Sequence, residues 1–262
     1  MNCNLSALTI AHSGILTLSS KGMEQSRVQP LHLTRREFLD TVLQLQPRVA
    51  AFDCDGTLWS GDAGVTFFDW EIETGVVPRE VGAAMRARYV EYQAGRVSED
   101  DMCAEMVTMH QGLTDAAMMK VTEEFMTRTF RGRIFSEMQE LVGHLQESGC
   151  EVWAVSSSSE WLIRAGMKSF GIAQDRILAT KVEIEDGMIT GRLVRVPSGA
   201  GKTAALREVA KKNVDAAFGN SRWDADMLAA AQHAFAVNPN PDLEAVAHER
   251  GWTIYFPDRG RK

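Results

Sequence analysis

Two carboxylates, Asp53 and Asp55, lie two residues apart in the stretch 50–58, AAFDCDGTL. Residues i and i+2 of an extended chain share a face, so the two converge at the end of the apolar run Val49, Ala50, Ala51 and Phe52. Crowded carboxylates repel, and such a pair usually persists because a cation or a transferable proton lies between them. An all-oxygen site points to Mg²⁺, and Mg²⁺ held by few carboxylates commonly goes with phosphate chemistry. The competing reading of the same residues is a solvated D-x-D-G turn opened by Gly56.

Three later segments extend the pattern. Glu151–Ser159, EVWAVSSSS, is an apolar strand ending abruptly in hydroxyls. Lys202, in GAGKTAALR, opens a helical pattern. Residues 218–228, FGNSRWDADML, run from a short strand through a polar turn with Asn220 and Asp224 into a helix. The order of acid pair, strand-end serine, lysine and amide/acid cluster resembles the haloacid dehalogenase-like hydrolases, in particular their phosphoserine phosphatase-like branch with a helical cap. The resemblance runs from about residue 48 to the C-terminus. D-x-D-G-T-L is specific, the serine and lysine motifs are weak alone, and the four in order are strong. GAGKT also invites a P-loop reading, but G-x-x-x-x-G-K-[ST] needs glycine where the chain has Val196.

The resemblance implies an α/β fold: a mainly parallel, Rossmann-like sheet with helices on both faces and an inserted all-helical cap domain. It implies a Mg²⁺-dependent phosphomonoester hydrolase. Asp53 would attack phosphorus to form an aspartyl-phosphate, splitting one hard step into two. Asp55 would protonate the leaving alcohol and later take a proton from water, its main-chain carbonyl being the family's usual metal contact. Ser156, with Ser157 as the alternative register, would bind a phosphoryl oxygen, while Ser158 and Ser159 cap the next helix. Thr57 would fix the loop, and Lys202 would neutralise Asp53 and the phosphate. The metal would draw on Asp53, Asp55, Asn220 and Asp224. The family's usual Gly-Asp is Gly219-Asn220 here, which leaves open whether Asn220 ligates, Asp224 takes over, or metal binding and catalysis are weakened. A phosphotransferase or phosphomutase of the same fold, or a phosphometabolite-binding module, are the alternative functions.

The elements that must position these groups are legible in outline. Thr34-x-x-Glu37 is a capping box opening a helix with Phe38, Val42 and Leu45 on one face, ended by Pro47. Residues 65–130 read as helical throughout, with stripes at Val81, Met85, Tyr89 and Tyr92, at Met102, Met106 and Met109, and at Met118, Val121 and Phe125. Core packing is preferred over an adaptable binding surface for the methionines. Beyond Gly132 helices and strands alternate, with a strand at 150–155 and a hairpin over 181–194 turned by Glu185-Asp186-Gly187. Such alternation implies a covered parallel sheet that binds ligand beyond the carboxyl ends of its strands, where Asp53, Ser156 and Asn220 all fall. The expected division is an extension over 1–33, a core over 34–64 and 131–262, and a cap over 65–130.

The cap would choose the leaving group. Asp62 would read a substrate amino group, as in phosphoserine phosphatase-like enzymes, or would cap a helix. Trp59, Phe67, Phe68, Trp70, Tyr89, Tyr92 and Trp223 suit a quaternary ammonium such as choline. Arg86 or Arg88 would instead grip a carboxylate, as phosphoserine requires. The partner is thus a small phosphate ester bearing an amine. With 262 residues, 45% hydrophobic and 24% charged, the chain suits one large domain or a domain with an insertion. A net charge of −7 argues against nucleic acid. No apolar stretch is long enough for a bilayer span. Four cysteines without paired spacing and no secretory pattern suggest a reduced cytoplasmic protein, with Cys54 turned into the core and Cys103 and Cys150 buried. Met23 is a possible alternative start.

Overall fold

The computed structural model describes residues 33–210 and 213–258. The expected extension over 1–33, except for Leu33, and the start at Met23 lie outside them. Helix α1 (Arg35–Gln44) opens on the Thr34–Glu37 capping box and buries Phe38, Leu39 and Val42. Strand β1 (Val49–Phe52) follows and is buried along its whole length.

Seven strands form one sheet: β1, β2 (Glu151–Ser159), β3 (Ile177–Glu185), β4 (Met188–Arg195), β5 (Ala216–Gly219), β6 (His233–Val237) and β7 (Thr253–Tyr255). Their order is β4-β3-β2-β1-β5-β6-β7, parallel except for the β3–β4 hairpin. Alternation along the central strands explains why both faces are covered. Phe52, Phe218 and Phe235 lie in register on one face, stacked at 4.2 and 4.9 Å between centroids, with Phe38 and Tyr255 against them. That face packs with α1 and α6 (Ser136–Glu147). The small residues Ala51, Ala217 and Ala236 face the other way, toward helices α8 (Ala200–Val209), α9 (Ala225–Ala230) and α10 (Pro241–Arg250). The same register levels the carboxyl ends: Phe52 pairs with Ala154 and with Phe218, so Asp53, Ser156 and Asn220 emerge at one edge.

Between β1 and α6 the chain forms α2 (Ala63–Thr74), α3 (Arg79–Gln93), α4 (Glu99–Thr108) and α5 (Asp115–Phe125), the last ending in a π turn over Met126–Phe130. No strand interrupts them. Asp62, Ser98 and Thr114 cap α2, α4 and α5 with their side chains. Phe68, Met85, Val97 and Met102 form a core of their own, with Tyr89, Tyr92 and Met106 packed against it half-buried. The methionine stripe is therefore core at Met102 and wall at Met106. No helix of the described residues is long and apolar enough to cross a membrane.

Two boundaries differ from expectation. Strand β2 does not end at Val155 but continues through the serines to Ser159, with a shift in its pairing to β3 between Val155 and Ser159. The Thr180 hydroxyl donates to the Ser157 carbonyl across that irregularity, 2.6 Å, holding the serine run extended before α7 (Glu160–Met167). The first arm of the hairpin starts at Ile177 rather than at 181, because β3 pairs with β2 at its start and with β4 at its end. The turn is Asp186-Gly187, both at positive φ, as a two-residue hairpin loop demands. Cys54 is fully buried in the core and Cys150 nearly so, whereas Cys103 is only half-buried.

Candidate active site

Asp53 leaves β1 with its amide still bonded to the Phe218 carbonyl, 2.9 Å, so the sheet ladder fixes its backbone. Both carboxylate oxygens are engaged. Thr57 Oγ1 donates to Oδ2 at 2.8 Å and Lys202 Nζ to Oδ1 at 2.6 Å. Lys202 arrives from the first turn of α8, 2% exposed, and also donates to Asp224 Oδ1 at 2.6 Å and to the Val155 carbonyl at 3.1 Å. Burial acts to lower the lysine, but Asp224 and Asp53 more than reverse it and hold the ammonium charged. Burial, reinforced by the Asp224 charge, pushes the Asp53 carboxyl up to about 7 against the pull of Lys202.

Asp55 meets a different set of donors. Trp59 Nε1 and the Ala63 amide, at the start of α2, donate to its Oδ1 at 2.8 and 2.6 Å. Ser158 Oγ donates to Oδ2 at 2.7 Å. Burial and then the charge of Asp62 outweigh these bonds and push the carboxyl up to about 6. Asp55 can therefore exist both as acid and as base near neutral pH. Ser158 was expected to cap α7; that task falls to Ser159, which accepts the Leu162 amide at 3.4 Å. Its true partner had a signal in the sequence, since Ser156 and Ser158 share a strand face just as Asp53 and Asp55 do. Ser156, 1% exposed, accepts the Ser158 amide at 3.1 Å. Ser157 uses its carbonyl to accept from Thr180.

The turn after β5 separates Asn220 from Asp224. Asp224 is fully buried; its Oδ1 faces Lys202, and its Oδ2 accepts the amides of Asn220 and Ser221 at 3.0 and 2.9 Å. Both oxygens thus take part in holding the turn and the lysine, which ties Asp224 to Lys202 and to the backbone of the turn. The Asn220 side chain instead lies directly against Gly56, whose φ is +79°; a Cβ there would fall 1.8 Å from Asn220 Nδ2. Among the described residues no group of three His, Cys, Asp or Glu side chains could hold a metal. Asp53, the Asp55 main-chain carbonyl and the Asn220 amide oxygen nonetheless supply hard oxygens of the kind Mg²⁺ takes. One carboxylate with waters and a phosphate suffices for that ion.

A cavity of about 140 Å³ opens from Ser157, Ser158 and Ser159 into the helical insertion. Asp62 stands at its wall while capping α2 through the Val65 amide, 2.8 Å, so both roles expected for it are compatible. Phe67, Phe68, Tyr89 and Tyr92 line it; Trp70 packs on Phe125, and Trp59 lies fully buried beneath Asp55. Glu71 and His110, also lining residues, form a buried pair at 2.8 Å, with the other ring nitrogen 3.2 Å from the Val107 carbonyl. The sequence reading had singled out neither. Arg86 does not reach the cavity: it pairs with Asp69 at 2.9 Å and Glu73 at 3.6 Å on the outer face. Arg88 is likewise held by Glu105 at 2.7 Å. Nearby carboxylates on adjacent helices capture both guanidinium groups first.

Comparison with known proteins finds phosphatases among the relatives of this chain. A phosphoserine phosphatase of Mycobacterium tuberculosis is 28% identical over 215 residues, covering 78% of this chain and 69% of its own. A histidinol-phosphatase of Neisseria meningitidis is 27% identical, over 79% of this chain and 97% of its own. Among solved structures, a Bordetella pertussis protein of unknown function superposes with a TM-score of 0.70 at 22% identity, over 79% of this chain and 97% of that one. A substrate-bound phosphoserine phosphatase superposes with a TM-score of 0.56 at 19% identity, over 81% and 93%. The family model for haloacid dehalogenase-like hydrolases matches residues 50–229, the span that carries every group described above, and the chain belongs to that family.

Proposed function

We propose that this chain is a Mg²⁺-dependent phosphomonoester hydrolase that works through an aspartyl-phosphate on a small, amine-bearing phosphate ester. The observation that carries the reading is the pairing of Asp53, clamped by Lys202 and Thr57, with a second carboxyl, Asp55, held separately by Trp59, the Ala63 amide and Ser158. A nucleophile and a proton donor are the two groups that phosphate ester cleavage asks of a protein, besides charge neutralisation.

In the first step an Asp53 oxygen attacks phosphorus and the bond from phosphorus to the ester oxygen breaks. The departing alkoxide takes the proton of Asp55, whose three hydrogen-bond donors stabilise the carboxylate left behind. Asp55 then removes a proton from water as that water attacks the phosphorus of the aspartyl-phosphate. The acyl–oxygen link to phosphorus breaks, and Asp53 and inorganic phosphate are regenerated. Lys202 stays charged throughout and offsets the negative charge of Asp53 and the phosphoryl oxygens. Ser156 keeps its hydroxyl proton free for a phosphoryl oxygen, since its oxygen accepts the Ser158 amide. Asp53, the Asp55 carbonyl and Asn220 would hold Mg²⁺, which when bound neutralises phosphoryl charge.

Phosphate release from phosphoserine, phosphocholine, phosphoethanolamine and sugar phosphates, with Mg²⁺ and with chelator, tests the reading beside Asp53→Asn. Metal-dependent release that vanishes in the variant is the expected result. Absence of release from every ester by the folded wild-type protein would overturn it in favour of a binding module. Transfer of phosphate to a sugar without release would indicate a phosphotransferase.

A further inference from the structure

We infer that the cavity beyond Ser158 is a leaving-group subsite for a cationic alcohol lacking a carboxylate, so that the ester is an aminoalkyl or quaternary-ammonium alkyl phosphate. The inference rests on the phosphatase reading and narrows it. Ser158 fixes the geometry: it bonds Asp55 with its hydroxyl and lines the cavity mouth. An alkoxide leaving toward Asp55 must carry the rest of its alcohol past that serine. At about 140 Å³ the space is well below the roughly 300–1,000 Å³ of drug-sized sites, which restricts the alcohol to a few heavy atoms.

The charge of the walls selects its sign. Asp62 accepts from backbone amides at the start of α2, Val65 at 2.8 Å among them, and Glu99 accepts from the Tyr92 hydroxyl and, at 3.7 Å, from the Cys103 thiol. Neither carboxylate has a cationic partner among the described residues. Glu71 differs, because its carboxyl is paired with the His110 ring at 2.8 Å. No Arg or Lys among the described residues lines the cavity, and Arg86 and Arg88 are tied to carboxylates outside it. The Phe68–Tyr89 and Tyr89–Tyr92 ring pairs, at 5.4 and 5.6 Å, complete an aromatic wall of the kind that binds desolvated ammonium groups. A carboxylate on the substrate would meet two wall carboxyl groups that lack a cationic partner, with no Arg or Lys among the described residues to receive it. Serine as the leaving group is thereby disfavoured, although its amine alone would fit.

Steady-state hydrolysis of phosphocholine, phosphoethanolamine, phosphoserine and the neutral isostere 3,3-dimethylbutyl phosphate decides the matter, with p-nitrophenyl phosphate as a general phosphatase substrate. The cationic esters should exceed both the isostere and phosphoserine in kcat/KM by about tenfold or more, mainly through KM. Glu99→Gln should shrink the ratio of phosphocholine to its isostere severalfold. Equal or better turnover of the isostere or of phosphoserine overturns the subsite while leaving the phosphatase reading intact. Failure to hydrolyse even p-nitrophenyl phosphate sinks that reading instead. Calorimetric binding of choline, serine and 3,3-dimethylbutan-1-ol to the wild-type protein then judges the subsite alone. Preference for choline upholds it, and equal or undetectable binding of all three overturns it.

Discussion

Asp55 carries the proton on which an alkyl leaving group depends, and two neighbours push its carboxyl in opposite directions. The Asp62 charge raises it and the Ser158 hydrogen bond lowers it. Donation needs the protonated form, so the rate with an alkyl phosphate falls as pH rises through this group's midpoint. Removing the charge in Asp62→Asn moves that falling limb to lower pH, and asparagine still caps α2. Removing the hydrogen bond in Ser158→Ala moves the limb to higher pH and lowers kcat by roughly tenfold, the worth of about 1.4 kcal/mol of lost orientation and carboxylate stabilisation. Two pH–rate profiles with limbs displaced in the same direction, or not at all, would remove Asp55 from the role of acid.

At the scale of elements, the site depends on short turns that join rigid strands to helices. The loop after β1 and the turn after β5 touch through Gly56 and Asn220, and Asn238 Nδ2 donates to the Gly56 carbonyl at 3.1 Å from the end of β6. Gly56→Ala meets two obstacles at once: a left-handed backbone that costs an L-residue about 1–2 kcal/mol, and a Cβ inside the Asn220 side chain. Turnover should fall by about a hundredfold or more and the apparent Mg²⁺ affinity should drop, while far-ultraviolet circular dichroism stays native. Wild-type metal titration curves in that variant would show that Asn220 is not a ligand. The capping residues of the helical insertion act at the same scale: Asp62 both starts α2 and faces the cavity, so one side chain sets the helix and the site.

For the molecule as a whole, Lys202 is a tie between layers. One ammonium joins the end of β1 through Asp53, the middle of β2 through the Val155 carbonyl, and the β5–α9 turn through Asp224. Breaking a buried ion pair by deleting one partner costs about 3–5 kcal/mol, because the charges left behind lose their compensation. Lys202→Met should therefore lower the unfolding free energy by about that amount in a denaturant titration, besides abolishing turnover. It should also drive Asp53 further above about 7, since the lysine is what pulls that carboxyl down. A variant as stable as the wild-type protein would mean that water or backbone donors replace the lysine.

Local pattern was sufficient for much of this. The i, i+2 spacing placed Asp53 and Asp55 at one strand end, the Thr34–Glu37 capping box marked a helix start, and alternation implied a covered parallel sheet, because period and capping are properties of a few consecutive residues. The alternation of strands and helices also brought Ser156 and Asn220 to the same edge as Asp53, and the family resemblance added Lys202. Only the tertiary structure decided which serine meets Asp55, that Asp224 holds Lys202 and the amides of its own turn, and that Arg86 turns outward to Asp69 and Glu73. The reason is common to all three. A polar side chain takes the partner that folding brings nearest, and here those partners lie between 3 and 103 residues away along the chain. The charge of the cavity is likewise a sum over helices that meet only in the folded molecule.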